Sequence, residues 1–146
     1  MTIQVTVTNN GNASANPFWV DLYLNPSSPP TAANQIWNTR CSLKPCLGMA
    51  WYVANGLEPG QSITLSSQSL APGYSIWEGW FAAGTTDLYV YADSYNPGVA
   101  AGAVAELNES NNRAELHGLN VTGLNPLQLQ LASVYQRPLP PAQAAK

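Results

Sequence analysis

Charge is scarce in this chain: 9% of its 146 residues are charged, and five Lys and Arg stand against eight Asp and Glu. So few cations leave no basic patch for counterion release, which excludes nucleic acid as a partner class. No run of 18 or more apolar residues is present, so nothing in the sequence reads as a membrane span. Met1-Thr2 runs straight into a strand pattern with no basic and apolar leader. The two cysteines, Cys41 and Cys46, are too few for a tetrahedral zinc site and lack C-x-x-C spacing. They read either as lone thiols or as a small disulfide loop over residues 42–45, which would fit an oxidising extracellular compartment. The chain offers no Ser, His and Asp constellation beyond a lone His117. The sequence also holds no nucleophile elbow and no glycine-rich phosphate loop.

What is present is apolar and aromatic: 45% hydrophobic and 10% aromatic residues, enough buried surface to offset the entropy of folding one domain. The periodicity is two. In "IQVTVT", Ile3, Val5 and Val7 alternate with Gln4, Thr6 and Thr8; in "FWVDLYL", Phe18, Val20, Leu22 and Leu24 share one face and Trp19, Asp21 and Tyr23 the other. "SITL", "DLYVYAD" and "RAELHGLNV" repeat the rule, and "GMAWYVA" is a less cleanly patterned candidate. Between them lie turn signals at Asn10-Gly11, Pro26 to Pro30, Pro59-Gly60 and Pro72-Gly73. Short alternating strands joined by turns predict an all-β, immunoglobulin-like or fibronectin-like antiparallel sandwich of about seven strands.

That strand assignment places Trp19, Tyr23, Tyr89 and Tyr91 on an outward face, with Tyr52 able to join them. An exposed platform of this kind stacks on sugar rings or anchors a protein interface. The alternative is packing, either as cross-strand pairs or beneath the long loop over residues 25–47. Trp37, Trp77 and Trp80 lie in loops long enough to fold over that face.

The stretch "AELNESNNR" concentrates Glu106, Asn108, Glu109, Asn111, Asn112 and Arg113 in a chain otherwise poor in such groups. With Asp93 at the end of the preceding strand, these oxygens suit calcium, although no Asp-x-Asp-x-Asp-Gly loop is present. The competing reading is a set of Asx turns that bind their own backbone. A catalytic pair of Glu106 and Glu109 would need a cleft and one raised pKa. His117, at an outward position beside Glu115, reads as a surface residue. Three glycosylation sequons, at Asn12, Asn108 and Asn120, are of a kind that arises by chance in such a composition.

"VTVTNNGNASANPFWVDLYL", "LEPGQSITL" and "DLYVYADSYNPGVAAGAVAELNESNN" together resemble the CARDB domain, the cell-adhesion-related domain found in bacteria and archaea, over about residues 2–122. The resemblance marks Asn10, Gly11, Pro59, Gly60, Asp93, Glu106, Asn108, Glu109, Asn111 and Asn112. It implies a non-catalytic adhesion or spacer module, secreted or at the cell surface, with a protein or a surface polysaccharide as ligand and no cofactor beyond a candidate calcium ion. A carbohydrate-binding module using the aromatic face is the first alternative, and a strand-exchanging subunit of an oligomer the second. The family's pattern also carries a strand ahead of "VTVTNNG", where this sequence has only Met1 to Gln4. That leaves the expectation of an uncovered sheet edge. The domain is expected over residues 1–124. Residues 125–146 then add a strand or linker, in which Leu127, Leu129 and Leu131 alternate with Gln128 and Gln130, followed by a Pro-rich tail. Residues 127–134 could fill the open edge in their own molecule or in a neighbour.

Overall fold

The computed structural model describes residues 1–41, 46–69, 75–77, 81 and 83–122, apart from the side chain of Ile76. The turn at Pro72-Gly73, Trp80 and the alternating segment beyond residue 122 lie outside the described residues. Seven strands form among the described residues: β1 (Gln4–Thr8), β2 (Phe18–Leu24), β3 (Leu47–Val53), β4 (Ser62–Ser66), β5 (Ser75–Ile76), β6 (Gly84–Ala92) and β7 (Arg113–Val121). All pair antiparallel, in a two-stranded sheet β1-β4 and a five-stranded sheet β5-β3-β2-β6-β7. The only helical pieces among the described residues are 3-10 turns at Trp37–Thr39 and Glu109–Asn111.

The two sheets enclose the main core. Val20, Leu22 and Leu24 of β2 lie level with Trp51, Met49 and Leu47 of β3 and with Ala92, Val90 and Leu88 of β6. Period two then aims one apolar row from each strand at β1 and β4. Ile3, Val5, Val7, Ile63 and Leu65 meet that row from the other side. The indole N–H of Trp51 donates to the Ser66 carbonyl (3.0 Å), which ties β4 to β3 across the sandwich. Trp77 and Phe81 stack at 5.3 Å and pack into this same core. Trp77 therefore faces inward and does not cover the outer aromatic face.

Strand β2 departs from the half-buried pattern that its sequence suggests: all seven of its residues are buried. The reason is a second apolar cluster on the outer face of the large sheet, so β2 is a central strand covered on both sides. Replacing Leu22 by Ala should lower the unfolding free energy by about 2–5 kcal/mol, because a fully enclosed branched side chain leaves a cavity. Val99→Ala, at a site 45% exposed, should stay within about 0.5 kcal/mol of the parent. Urea unfolding of the two variants checks the contrast.

Candidate functional site

Register decides which aromatic rings meet. Trp19 pairs with Tyr52, Asp21 with Tyr91 and Tyr23 with Tyr89, so all of these side chains share the outer face of the large sheet, as the strand pattern predicts. Their exposure follows the packing alternative and not the open platform. Trp19 and Tyr23 are each 1% exposed, and Tyr89 and Tyr91 are buried as well. Tyr52 alone among the five remains open, at 36%, with its ring centroid 5.0 Å from that of Trp19. This face is the floor of a second core, packed beneath the loop over residues 25–47.

The cover is the connection between β2 and β3, which folds back over the strands it joins. Trp37 and Cys46 belong to the outer cluster, with Cys41 packed against it. Cys41 and Cys46 are joined by a disulfide, and Cys41 forms a bridge with Pro26 that closes the base of the loop. The reversal after β2 uses a left-handed Asn25, whose side-chain oxygen accepts from the Asp87 N–H at 2.7 Å. Tyr23 donates its hydroxyl to the Gln35 carbonyl at 2.9 Å. The Trp37 ring lies so close to Gly48 that a Cβ there would come within 2.7 Å of it. That site therefore requires glycine.

Beneath the cover lies a group that the strand pattern treats as one more outward side chain. The Asp21 carboxylate is fully buried; one oxygen accepts from the Trp37 N–H at 2.9 Å and the other from the Ser94 hydroxyl at 2.6 Å. Ser94 in turn donates its N–H to the Trp19 carbonyl and accepts at its own carbonyl from the Asn34 N–H. The Asn34 side chain bonds the Asn96 N–H and the Val99 carbonyl. One buried carboxylate thus joins the β2–β3 cover to the β6–β7 connection. The signal in the sequence is a lone acid at the centre of "FWVDLYL", where only a fully bonded carboxylate tolerates burial.

The acidic stretch shows a similar use of oxygen. Asp93, in a left-handed conformation and 4% exposed, accepts the Ala103 N–H on one oxygen (2.7 Å) and the Val104 N–H on the other (2.8 Å). Gly102 beside it leaves room for the carboxyl, which a Cβ would overlap. Burial pushes the Asp93 pKa up to about 6, aided by Glu106 and Glu109 and opposed by the two N–H donors. Burial, with Glu109 and Asp93 nearby, likewise raises Tyr91. Further along, Asn108 caps the Glu109–Asn111 turn by accepting from the Ser110 N–H. Glu109 accepts from the Glu106 N–H at 3.1 Å and from the Asn112 side chain at 3.3 Å. Asn112 gives its carbonyl to the Ala92 N–H. Asn111 lies within the 3-10 turn and is exposed. These are the bonds of Asx turns and a capped strand end. Among the described residues no three His, Cys, Asp or Glu side chains are grouped to hold a metal ion. Glu106 and Glu109 both lie exposed on the surface, whereas an acid pair needs an enclosing cleft.

On the same outer face, at its β7 edge, His117 lies between Asp87 (3.6 Å) and Glu115 (3.5 Å) and meets the Tyr89 ring edge-on at 5.2 Å. Asp87 also accepts from the Gly118 N–H at 2.7 Å, beside the irregularity that offsets β6 from β7. His117 is half exposed, on a solvated charged patch.

Antiparallel sheets closed over one core, with loops pinned by buried carboxylates, define an immunoglobulin-like sandwich. The CARDB family model matches residues 1–116, and the chain belongs to that family. It is an adhesion-related domain family, associated with cell-surface or extracellular bacterial proteins. No curated protein and no solved structure gives a significant match. No helix among the described residues is long and apolar enough to cross a membrane.

Two substitutions probe this face. Trp19→Ala should cost about 3–5 kcal/mol, the range for emptying a buried aromatic site, where loss from an open platform would leave unfolding nearly unchanged. Calorimetry reads the difference directly. Asp93→Asn should cost about 1–3 kcal/mol at pH 7, because its amide nitrogen would confront a backbone donor. The pH dependence has a definite sign. A carboxyl whose folded pKa lies above its unfolded value binds its proton more tightly when folded, so its contribution falls as pH rises from about 4 to 6. That slope should be missing from a pH series of melting curves for the Asn variant.

Proposed function

We propose that this domain is a non-enzymatic recognition or spacer module of an extracellular or cell-surface protein, adhering to a protein or polysaccharide through its sheet edges and loop surfaces. The observation that carries this reading is how the polar and aromatic groups of the marked stretches are used. Asp21, Asp93, Asn108 and Glu109 bind backbone, and Trp19, Tyr23, Tyr89 and Tyr91 fill a core, so these groups hold loops in place. The disulfide between Cys41 and Cys46 supports an oxidising compartment. Rigid loops on a small sandwich suit a part that must present a fixed surface.

The carbohydrate-binding alternative now rests on Tyr52, the one ring of the five that stays open, backed by Trp19. A direct test coats beads with the purified domain and measures their retention on bacterial cells and on immobilised polysaccharides. The expected result is retention on cells that survives EDTA and the Tyr52→Ala change. Competition by soluble polysaccharide, together with loss in Tyr52→Ala, would move the assignment to a carbohydrate-binding module. Dependence on calcium would instead return the Asp93 and Glu106 region to consideration as an ion site. Retention nowhere would remove the recognition role and leave the spacer, and turnover of a glycoside by the purified chain would overturn the non-enzymatic reading.

A further inference from the structure

The sequence contains two Asn-Gly pairs, Asn10-Gly11 and Asn55-Gly56, and the fold treats them differently. Such a pair carries its own reaction. The glycine backbone nitrogen can attack the side-chain carbonyl carbon of the asparagine, and a glycine has no Cβ to stand in the way. The outcome depends on how freely that nitrogen and the chain around it move.

Asn55-Gly56 is locked. It belongs to the tight turn after β3, where the Gly56 N–H donates to the Val53 carbonyl at 3.2 Å and Gly56 is buried with a φ of 61°. The Ala15 carbonyl lies so near that a Cβ on Gly56 would overlap it. Alongside, Ala15 and Leu57 exchange backbone hydrogen bonds of 2.8 and 3.1 Å. The main chain there has no room to swing the Gly56 nitrogen onto the Asn55 side chain.

Asn10-Gly11 lies in the open. Residues 10–14 form an excursion between β1 and β2, anchored where the Gly60 N–H donates to the Asn9 carbonyl (2.8 Å) and again at the Ala15–Leu57 bridge. Asn10 and Gly11 are both exposed, and among the described residues the Asn10 carboxamide has no hydrogen-bond partner. One contact restrains the nitrogen. The Gly11 N–H donates to the Asn9 side-chain oxygen at 2.9 Å, an Asx turn, while the Asn9 amide is itself held by the Ala13 and Leu57 carbonyls at 2.8 and 2.9 Å. While that bond lasts, the nitrogen keeps its proton and is turned toward Asn9. It is a single exposed bond, and it opens without unfolding the sheets.

We propose that Asn10 is a site of self-deamidation and that Asn9 sets its rate. The Gly11 nitrogen gives its proton to water and bonds the Asn10 Cγ. The C–N bond of the carboxamide breaks, ammonia leaves, and a cyclic succinimide remains. Water then opens either carbonyl of the ring, which gives aspartate or isoaspartate at position 10. The conversion adds one negative charge to a chain whose formal net charge is -3, and the isoaspartate form lengthens the main chain by one carbon between β1 and β2. This chemistry is independent of the adhesion reading and stands or falls without it.

Peptide mapping of the full chain, aged at neutral pH, tests it. Trypsin cleaves after Arg40 and Arg113, with Lys44 shielded by Pro45, and so puts the two pairs in peptides 1–40 and 41–113. Peptide 1–40 should gain the mass of an amide-to-acid change and split into two chromatographic forms, while 41–113 stays unchanged. In urea both peptides should convert at similar rates, because denaturation removes the lock on Gly56. Asn10→Gln should abolish the gain in 1–40, since the longer side chain closes its ring far more slowly. Asn9→Ala should speed the gain about fivefold, the effect of losing one ordinary hydrogen bond, with 41–113 still unchanged as the sign of an intact fold. The proposal is overturned by conversion of 41–113 as fast as 1–40 in the folded chain, by a gain that persists in Asn10→Gln, or by no gain while the urea sample converts. An unaltered rate in Asn9→Ala would overturn the part given to Asn9.

Discussion

The buried carboxylate of Asp21 is the constraint on which the outer half of the domain depends. An unpaired charge in that position would be untenable, and its two acceptors are satisfied by groups from two different loops. Those bonds fix where Trp37 lies and where the chain turns after β6. Once they are fixed, the cover over Trp19, Tyr23, Tyr89 and Tyr91 follows. The face that would otherwise be a wet aromatic sheet becomes a second interior, and β2 becomes a strand with apolar contacts on both sides.

Asp93 repeats this device one strand over, with a different outcome for its own chemistry. Its partners are backbone N–H groups, which offset only part of the cost of burial, and its proton affinity rises accordingly. The two carboxylates divide the labour: Asp21 joins loop to loop, and Asp93 folds the β6–β7 connection onto itself. The apparent richness of "AELNESNNR" is the continuation of that local work, through Asn108 at the start of a 3-10 turn and Glu109 holding its flanks.

The strands and their faces were legible because period two, together with Asn, Gly and Pro turns, leaves little freedom in an all-β chain of this length. The sequence pattern also put Trp19, Tyr23, Tyr89 and Tyr91 on one face, opposite Val20, Leu22, Leu88 and Val90, and the register agrees. Burial of the outer face was legible only as one of two alternatives, since alternation tells which side a ring is on and leaves open whether the 22-residue connection from β2 to β3 folds over it. The role of Asp21 was hidden for the same reason: its partners are 16 and 73 residues away. The mobilised polar groups of the acidic stretch were visible as turn formers, because Asx turns are built from near neighbours in sequence.

The placement of β1 and β7 has a mechanical consequence. Ile3 and Val121 stand at one end of the sandwich, so tension applied between them loads the bonds between Ile3 and Ser67 first and opens the β1–β4 ladder from that end. A chain held in that way unzips under low load.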